Sequence, residues 1–484
     1  MKIIFNIRNY FFIIATLVLA TLTGCKKYLD TALPSSLIAT QDAFISDNAV
    51  SAVVTGSLSN LTSNGIFSGA TGANLAYLSG LYTDELQLTA PANTTFLPYY
   101  TNTLSSTNAP KGWSDMYSKM LAVNTAIDGI NSSTATLYNK NQWLGECYFV
   151  RGLLYFYLIN IYGDAPLPLT SDYKANNSLG RTNTAQVYQQ IITDLQQAQN
   201  LLSYDYRNAY SQTTSARNRP NRYTATALLA KAYLYAGQWN NAEVQADSVI
   251  SNSSTYKLLS TDQAFSLNGK ETIWALPPTT GSPEYDYSMY NNGMPAVIPS
   301  GKTPGSAYNM YAAMSNNLLG AFESTDNRYT NWVRPVIVSA TSANPAITYY
   351  FPNKYTSSAP GGQNEIILRL AEIYLIRAEA RVQQKNLSGG QADLNVIRTR
   401  AGLAGTTAAD QTGLLSAIAK ERQVELFTET GNRFFDLKRT NTIDGVMSSV
   451  APQKGGTWSS FMQLWPIPPT DIIQDPNIAQ NSGY

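Results

Sequence analysis

The sequence predicts a mainly α fold, in which paired helices build a repeat-type scaffold that carries long irregular loop insertions and a few short strands. Three observations predict it. Apolar residues recur at helical spacing over most of 113–251 and again over 364–429. A small-x-x-Tyr signal recurs on three of those stretches, at Gly152/Tyr155, Ala230/Tyr233 and Ala371/Tyr374. Two other stretches, about 62–112 and 256–363, lose all periodicity and fill with Ser, Thr, Asn, Gly and Pro, as loop-rich segments do.

The elements follow in chain order. Phe44, Val50, Val53, Val54, Leu58 and Leu61 predict a first helix over 41–61. Helical patterning returns at 113–131 and at 141–162, and the second of these is apolar nearly all round and therefore buried. Residues 184–203 are amphipathic. Over 223–251, Leu229, Ala230, Tyr233, Gly237, Trp239 and Ala242 fall at the spacings of a tetratricopeptide helix–turn–helix unit. There the small residue lets two helices approach, and the tyrosine three positions on fills the gap beside them. Residues 364–385 and 389–401 form another such pair, so tetratricopeptide-like pairs are expected over about 113–251 and 364–401, stacking to bury their shared faces. Short strands are expected near 272–276 and 333–339. One last amphipathic helix, 413–429, precedes an irregular tail.

Composition excludes several kinds of chemistry. The chain has no histidine, which removes Ser-His-Asp and Cys-His nucleophile systems and every His-containing metal site. Its two cysteines are Cys25 and Cys147. Cys147 lies in the apolar run GECYFVRGLLYFYLINIYG, the setting of a small buried hydrophobe. Charged residues make up only 13% and nearly cancel, which leaves no basic stripe for nucleic acid. No cofactor or metal signature is present. The 32 tyrosines and seven tryptophans suit a surface that binds neutral polar ligands, with flat apolar rings beside amide and carboxylate hydrogen-bonding groups.

The first residues carry an address. Lys2 and Arg8 precede the apolar run Tyr10–Ala20, which is too short to span a bilayer. Leu22-Thr23-Gly24-Cys25 then resembles the bacterial lipobox, in which the cysteine receives a lipid and becomes the mature N-terminus. Residues 1–24 are accordingly expected to be a lipoprotein signal peptide, 25–40 a lipidated tether, and 41–484 one domain. Without Lys2 and Arg8, the 33 cations against 32 acids become 31 against 32, a net charge of −1.

Six blocks in order carry a family resemblance. Cys25-Lys-Lys-Tyr-Leu-Asp30 opens the mature chain, and Trp113, Tyr117 and Asn124 give a W-x3-Y-x6-N helix. Glu146–Pro166 reads ECYFVRGLLYFYLINIYGDAP, and Arg369-Leu-Ala-Glu372 precedes Ala378-Glu-Ala380. Glu421–Arg439 reads ERQVELFTETGNRFFDLKR, and LWPIP with the closing QNSGY ends the chain. Over essentially its whole mature length the sequence resembles the SusD/RagB family of outer-membrane nutrient-binding lipoproteins, departing at Thr430 and Ser482. The resemblance implies a SusD-like fold and a lipid-anchored protein exposed at the cell surface. It implies capture of a nutrient, commonly a glycan, for a SusC-like TonB-dependent transporter, and no enzymatic activity. Glu421, Glu425 and Glu429, spaced i, i+4, i+8, are expected to form ion pairs with nearby cations.

In the resembled family the glycan-contacting aromatics come from loops between scaffold helices, and no quoted motif transfers a binding residue. Local chemistry selects Asp84, Phe96, Tyr99 and Tyr100 in the first loop-rich stretch. In the second it selects Tyr285, Asp286, Tyr287 and Tyr290, with Trp332 further along, among other tyrosines that include Tyr308, Tyr311, Tyr349 and Tyr350. Rings offer faces for a sugar's C–H surface, and carboxylates take its hydroxyls. On a strand-like segment Tyr99 and Tyr100 would point opposite ways. Three alternatives stay open: a secreted glycosidase with carboxylates some 5–10 Å apart, a helical-repeat assembly scaffold without a small ligand, and a peptide-binding member of the family.

Overall fold

The computed structural model describes residues 42–62, 65–67 and 74–484. The signal peptide, Cys25 and the tether therefore lie outside the described residues. The helical scaffold starts with α1 (Asp47–Asn60) and α2 (Leu75–Tyr82). It continues through α3 (Gly112–Ser132), α4 (Lys140–Tyr162), α5 (Thr184–Leu201), α6 (Arg222–Tyr235) and α7 (Trp239–Ile250). After the second insertion come α8 (Leu370–Gln383), α9 (Leu387–Arg400), α10 (Gln411–Glu425), α11 (Asn432–Arg439) and α12 (Ile443–Gln453). Each helix of the run α3 to α9 packs on the next. The stack stays unbroken from α7 to α8 although the chain between Ser251 and Arg369 separates them, so the second insertion is looped out of the scaffold. Among the described residues, no helix is long and apolar enough to cross a membrane.

α4 is the hub of the core, buried on almost every side as its unbroken apolar run requires. Gly152 sits where α5 crosses it: a Cβ there would lie 3.1 Å from Leu195, which is why the position is small. At the seam of α7, α8 and α9, Arg377 joins Asp247 and Asp393, while Arg381 joins Glu243 and Asp393. The W-x3-Y-x6-N helix and the α4 block have a shared task. The Tyr117 and Tyr155 hydroxyls and the Asn124 amide donate to the carbonyls of Pro166 and Pro168 at 2.7–2.9 Å, clamping the extended segment after α4.

Among the described residues, three small sheets decorate the scaffold. β1 (Leu86–Leu88) pairs antiparallel with a strand of the second insertion, Ala312–Met314. β2 (Thr272–Leu276) pairs antiparallel with the strand Glu365–Arg369. β3 (Val297–Ile298) lies parallel to Val333–Val338, which pairs antiparallel with Ile347–Pro352. In chain order the remaining strands are β4 (Ala312–Met314), β5 (Val333–Val338), β6 (Ile347–Pro352) and β7 (Glu365–Arg369).

The helices expected at 113–131, 141–162, 184–203 and 223–251 are present, as are strands at 272–276 and 333–338. Three expectations are corrected. Residues 365–369, read as the first turn of a helix, form β7, because Ile366 and Leu368 find a partner in β2. The last helix ends at Glu425, not 429, and the expected irregular tail contains α11 and α12. The second insertion holds more order than expected, including a helix over Tyr285–Tyr290.

Candidate functional site

The two loop-rich insertions meet through the pairing of β1 with β4. β1 places Leu86 opposite Met314 and Leu88 opposite Ala312. The ladder runs on at both ends, with Ser315 N donating to Glu85 O at 2.9 Å and Thr89 N to Tyr311 O at 2.8 Å. Aromatic packing reinforces this seam. The Phe96 ring centroid lies 5.1 Å from Tyr77 and 5.6 Å from Tyr311, and Tyr77 lies 5.6 Å from Tyr290.

Residues 97–100 form one helical turn where a strand-like segment was expected, yet Tyr99 and Tyr100 do reach different concavities. Tyr99 lines a cavity of about 550 Å³ together with Thr94, Thr95, Asn108, Tyr162 and Trp465. Tyr100 lines a shallower one of about 130 Å³, whose other walls are rich in amides: Gln87, Asn316, Asn317 and Gln453. Asn316 and Asn317 are exposed and Gln87 is half-buried. Half-buried Tyr311 completes the seam, its hydroxyl donating to Asn309 Oδ1 at 2.8 Å, with half-buried Tyr308 beside it. Phe96 and Tyr100, four residues apart, share one face of the turn, and Phe96 touches Tyr311.

Lys454 fixes the floor of the smaller pocket. Its ammonium donates to the carbonyls of Leu81, Tyr82 and Thr83 at 2.8–3.0 Å, capping the C-terminal end of α2. It also lies 5.4 Å from the Tyr100 ring centroid. Burial pushes its pKa down to about 7, against the pull of Asp84.

The residues chosen from sequence divide by accessibility. Tyr100 and Tyr287 are half-buried. Tyr99 is largely buried but faces the larger cavity. The other six take buried positions, Asp84 among them also lining the smaller pocket. Asp84 is held by Arg433 in a two-pronged ion pair at 2.7 and 2.9 Å. Phe96 packs between Tyr77 and Tyr311. The Tyr285 hydroxyl bonds Thr279 Oγ1 at 2.7 Å, and Tyr290 is 1% exposed. Asp286 is buried. Trp332, also 1% exposed, donates its indole N–H to Thr261 O at 2.6 Å within a second core. Sequence reasoning missed Gln87, Asn309, Asn316 and Asn317 and passed over Tyr308 and Tyr311. The available signal was the short apolar run Met310–Met314 directly after Tyr308-Asn309.

The acidic stripe is also interior. Arg328 reaches Glu421 at 2.6 Å and Glu425 at 2.8 Å, while Arg369 reaches Glu425 at 2.5 Å, Glu429 at 2.7 Å and Glu271 at 3.0 Å. Burial alone would raise the Glu425 carboxyl, but Arg400, Arg369 and Arg328 hold it well below the usual range. These are the ion pairs expected of the stripe, with Glu429 arriving from the loop beyond α10.

Comparison with known proteins agrees with this architecture. A family profile described as starch-binding, associating with the outer membrane, matches residues 27–234, and the SusD family profile matches 160–484. The chain belongs to the SusD family. Among curated relatives of this SusD-family chain, SusD-like protein P25 of Formosa agariphila is 24% identical, covering 95% of this chain and 97% of its own. A SusD-like protein of Bacteroides ovatus is 25% identical over 67% and 64%. The fold matches a SusD superfamily crystal structure from Bacteroides vulgatus with a TM-score of 0.73 at 21% identity, covering 90% of this chain and 99% of that one. It also matches a structure described as a laminarin-binding SusD-like protein, with a TM-score of 0.71 at 23% identity over 90% and 99%.

Proposed function

We propose that this SusD-family protein is a lipid-anchored, surface-exposed receptor that binds an oligo- or polysaccharide and hands it to a SusC-like TonB-dependent outer-membrane transporter, without catalysing a reaction on it. The observation that carries the reading is the β1–β4 seam. It sets half-buried Tyr100 on the wall of an amide-lined hollow formed by Gln87, Asn316 and Asn317, with half-buried Tyr311 further along the same ladder and against Phe96. Rings take a sugar's C–H face, and side-chain amides offer both donors and acceptors to its hydroxyls. The cavity lined by Tyr99, the neighbour of Tyr100 on the same helical turn, falls within the usual range for a small-ligand pocket. Tyr287 remains a candidate contact on the second insertion.

The test is calorimetry of the soluble mature protein against a panel of oligosaccharides that includes starch- and laminarin-derived chains. Micromolar-class binding is expected, and the Tyr100→Ala/Tyr311→Ala double variant should weaken it at least tenfold with unchanged thermal stability. Full affinity in the double variant would remove the seam from the site. Shortened products in the same incubations would favour a hydrolase instead. Cys25→Ala should leave the soluble affinity intact and abolish fractionation with membranes.

A further inference from the structure

Behind the seam, three carboxylates from two elements converge in the interior. Glu284 and Asp286 come from the start of the Tyr285–Tyr290 helix and Glu365 from the first residue of β7, and one oxygen of each lies within 4.8 Å of the others. All three are buried, at 0%, 4% and 3% exposure. Glu284 is held in place as the N-cap, accepting from Asp286 N at 3.0 Å and Tyr287 N at 2.9 Å. Asp286 Oδ1 and Glu365 Oε2 have no hydrogen-bond partner among the described residues.

The neighbouring cation forms no ion pair with them and acts on Asp286 only through space. Lys354 directs its three protons to Glu425 O at 3.0 Å, Phe427 O at 2.7 Å and Glu429 Oε1 at 2.5 Å. A second buried polar group lies on the same short helix. Tyr290 stands one helical turn beyond Asp286, 1% exposed, and its hydroxyl also lacks a partner. Burial raises that hydroxyl's pKa most, followed by the charge of Asp286, with Glu365 adding to it. Uncompensated carboxylates in such a setting cost several kcal/mol each.

We propose that Glu284, Asp286 and Glu365, with the Tyr290 hydroxyl beside them, hold one divalent cation of the calcium class. Ca–O bonds of about 2.3–2.6 Å place opposite ligands up to about 5 Å apart, so oxygens within 4.8 Å of one another can share one such ion. Magnesium, at about 2.1 Å, demands near-ideal octahedral geometry and sheds its water reluctantly, which suits a dry carboxylate site less well. The ligands are hard oxygens, as calcium prefers. Bound there, the ion ties the second insertion to β7 and thus to the head of α8, so that the tyrosine-bearing loop is fixed on the scaffold. The alternative is a proton shared among the three carboxyls.

The experiment uses the full mature chain, stripped with chelator and returned to chelator-free buffer. Bound metal is counted by plasma emission after gel filtration with calcium, and thermal unfolding is followed in 1 mM CaCl2, in 1 mM MgCl2 and without either. The expected result is one calcium per chain and a rise in Tm of about 3 °C or more with calcium, less with magnesium. Glu365→Gln and Asp286→Asn should each lose the bound calcium and the rise, whereas Asp205→Asn at an exposed, remote position keeps both. If the wild-type chain retains no calcium, the proposal is overturned without recourse to any variant. Equal calcium binding by wild type and Glu365→Gln overturns it as well. Because calcium alone is the probe, neither outcome depends on the glycan reading.

Discussion

Arg151 shows how much of this sequence is fixed by single buried charges. It lies on α4, reaches Asp194 on α5 through two bonds of 2.7 and 2.8 Å, and donates to Asn124 Oδ1 on α3 at 3.0 Å. One guanidinium thus satisfies two helices, and it also reaches Leu169 O at 3.0 Å in the clamped segment. Arg151→Met keeps the volume but leaves Asp194 buried without its cation. Urea denaturation at pH 7 should show a loss of about 3–5 kcal/mol. Asp436 gives the corresponding pH effect. Burial alone would raise its carboxyl, but Arg422 and Arg439 outweigh this and bring it down to about 2 from an ordinary 3.8. The folded-state value lies below the unfolded one, so its contribution is complete above pH 3.8 and is lost as pH falls toward 2. Asp436→Asn should therefore be less stable than wild type at neutral pH and show a shallower further loss between pH 4 and 2. Parallel stability–pH curves for the two proteins would show that Asp436 is not among the groups driving acid unfolding.

At the scale of elements, helix pairing depends on a few small residues. Gly390 on α9 has no room for a side chain: a Cβ would come within 2.3 Å of Val382 Cγ2 and 2.8 Å of the Ala378 carbonyl on α8. The backbone atom cannot rotate away. Gly390→Ala should cost about 1–3 kcal/mol in thermal or urea unfolding, and an unchanged midpoint would mean that the pair separates easily. The pairs themselves were legible in the sequence because their signals are local: 3.6-residue periodicity, small-x-x-Tyr, and Gly237 at a turn with φ of +70°. β7 was not, since its residues continue an apolar run and only the distant β2 makes them a strand. The candidate site was legible in part for the same reason. Composition located both insertions, yet which tyrosine keeps an open face depends on pairing between residues more than 200 positions apart. Trp332 and Asp286 carry good ligand-binding chemistry in sequence and lie in the core. Tyr311, unselected, sits at the seam.

The whole molecule is tied together across its length, and that decides how it should behave when cut. The two family profiles overlap only over residues 160–234, which invites a division near position 234. The contacts oppose one. Lys231 on α6, fully buried, pairs with Glu372 on α8 at 2.8 Å and donates to Asn432 on α11 at 2.8 Å. Asp84 depends on Arg433. The Tyr82 hydroxyl donates to Met462 O at 2.9 Å, and Trp465 N donates to Ile161 O at 3.0 Å. Near the C-terminus, Asn481 donates to the carbonyls of Tyr162 and Trp465 at 3.0 and 2.8 Å, closing the chain onto the end of α4. A fragment ending at residue 234 would keep the buried lysine and the Asp84 carboxylate while losing every one of these partners, together with the apolar surface of α8 and α11 that covers α4 and α6. Each uncompensated buried charge costs several kcal/mol, comparable to the whole stability of a domain when two or three are combined. Residues 27–234 expressed alone should therefore lack a cooperative thermal transition, whereas residues 26–484 should lose near- and far-ultraviolet circular dichroism together in one step. Dispersed amide resonances from the 27–234 fragment would establish the opposite, an N-terminal half that folds by itself and to which the C-terminal half merely docks.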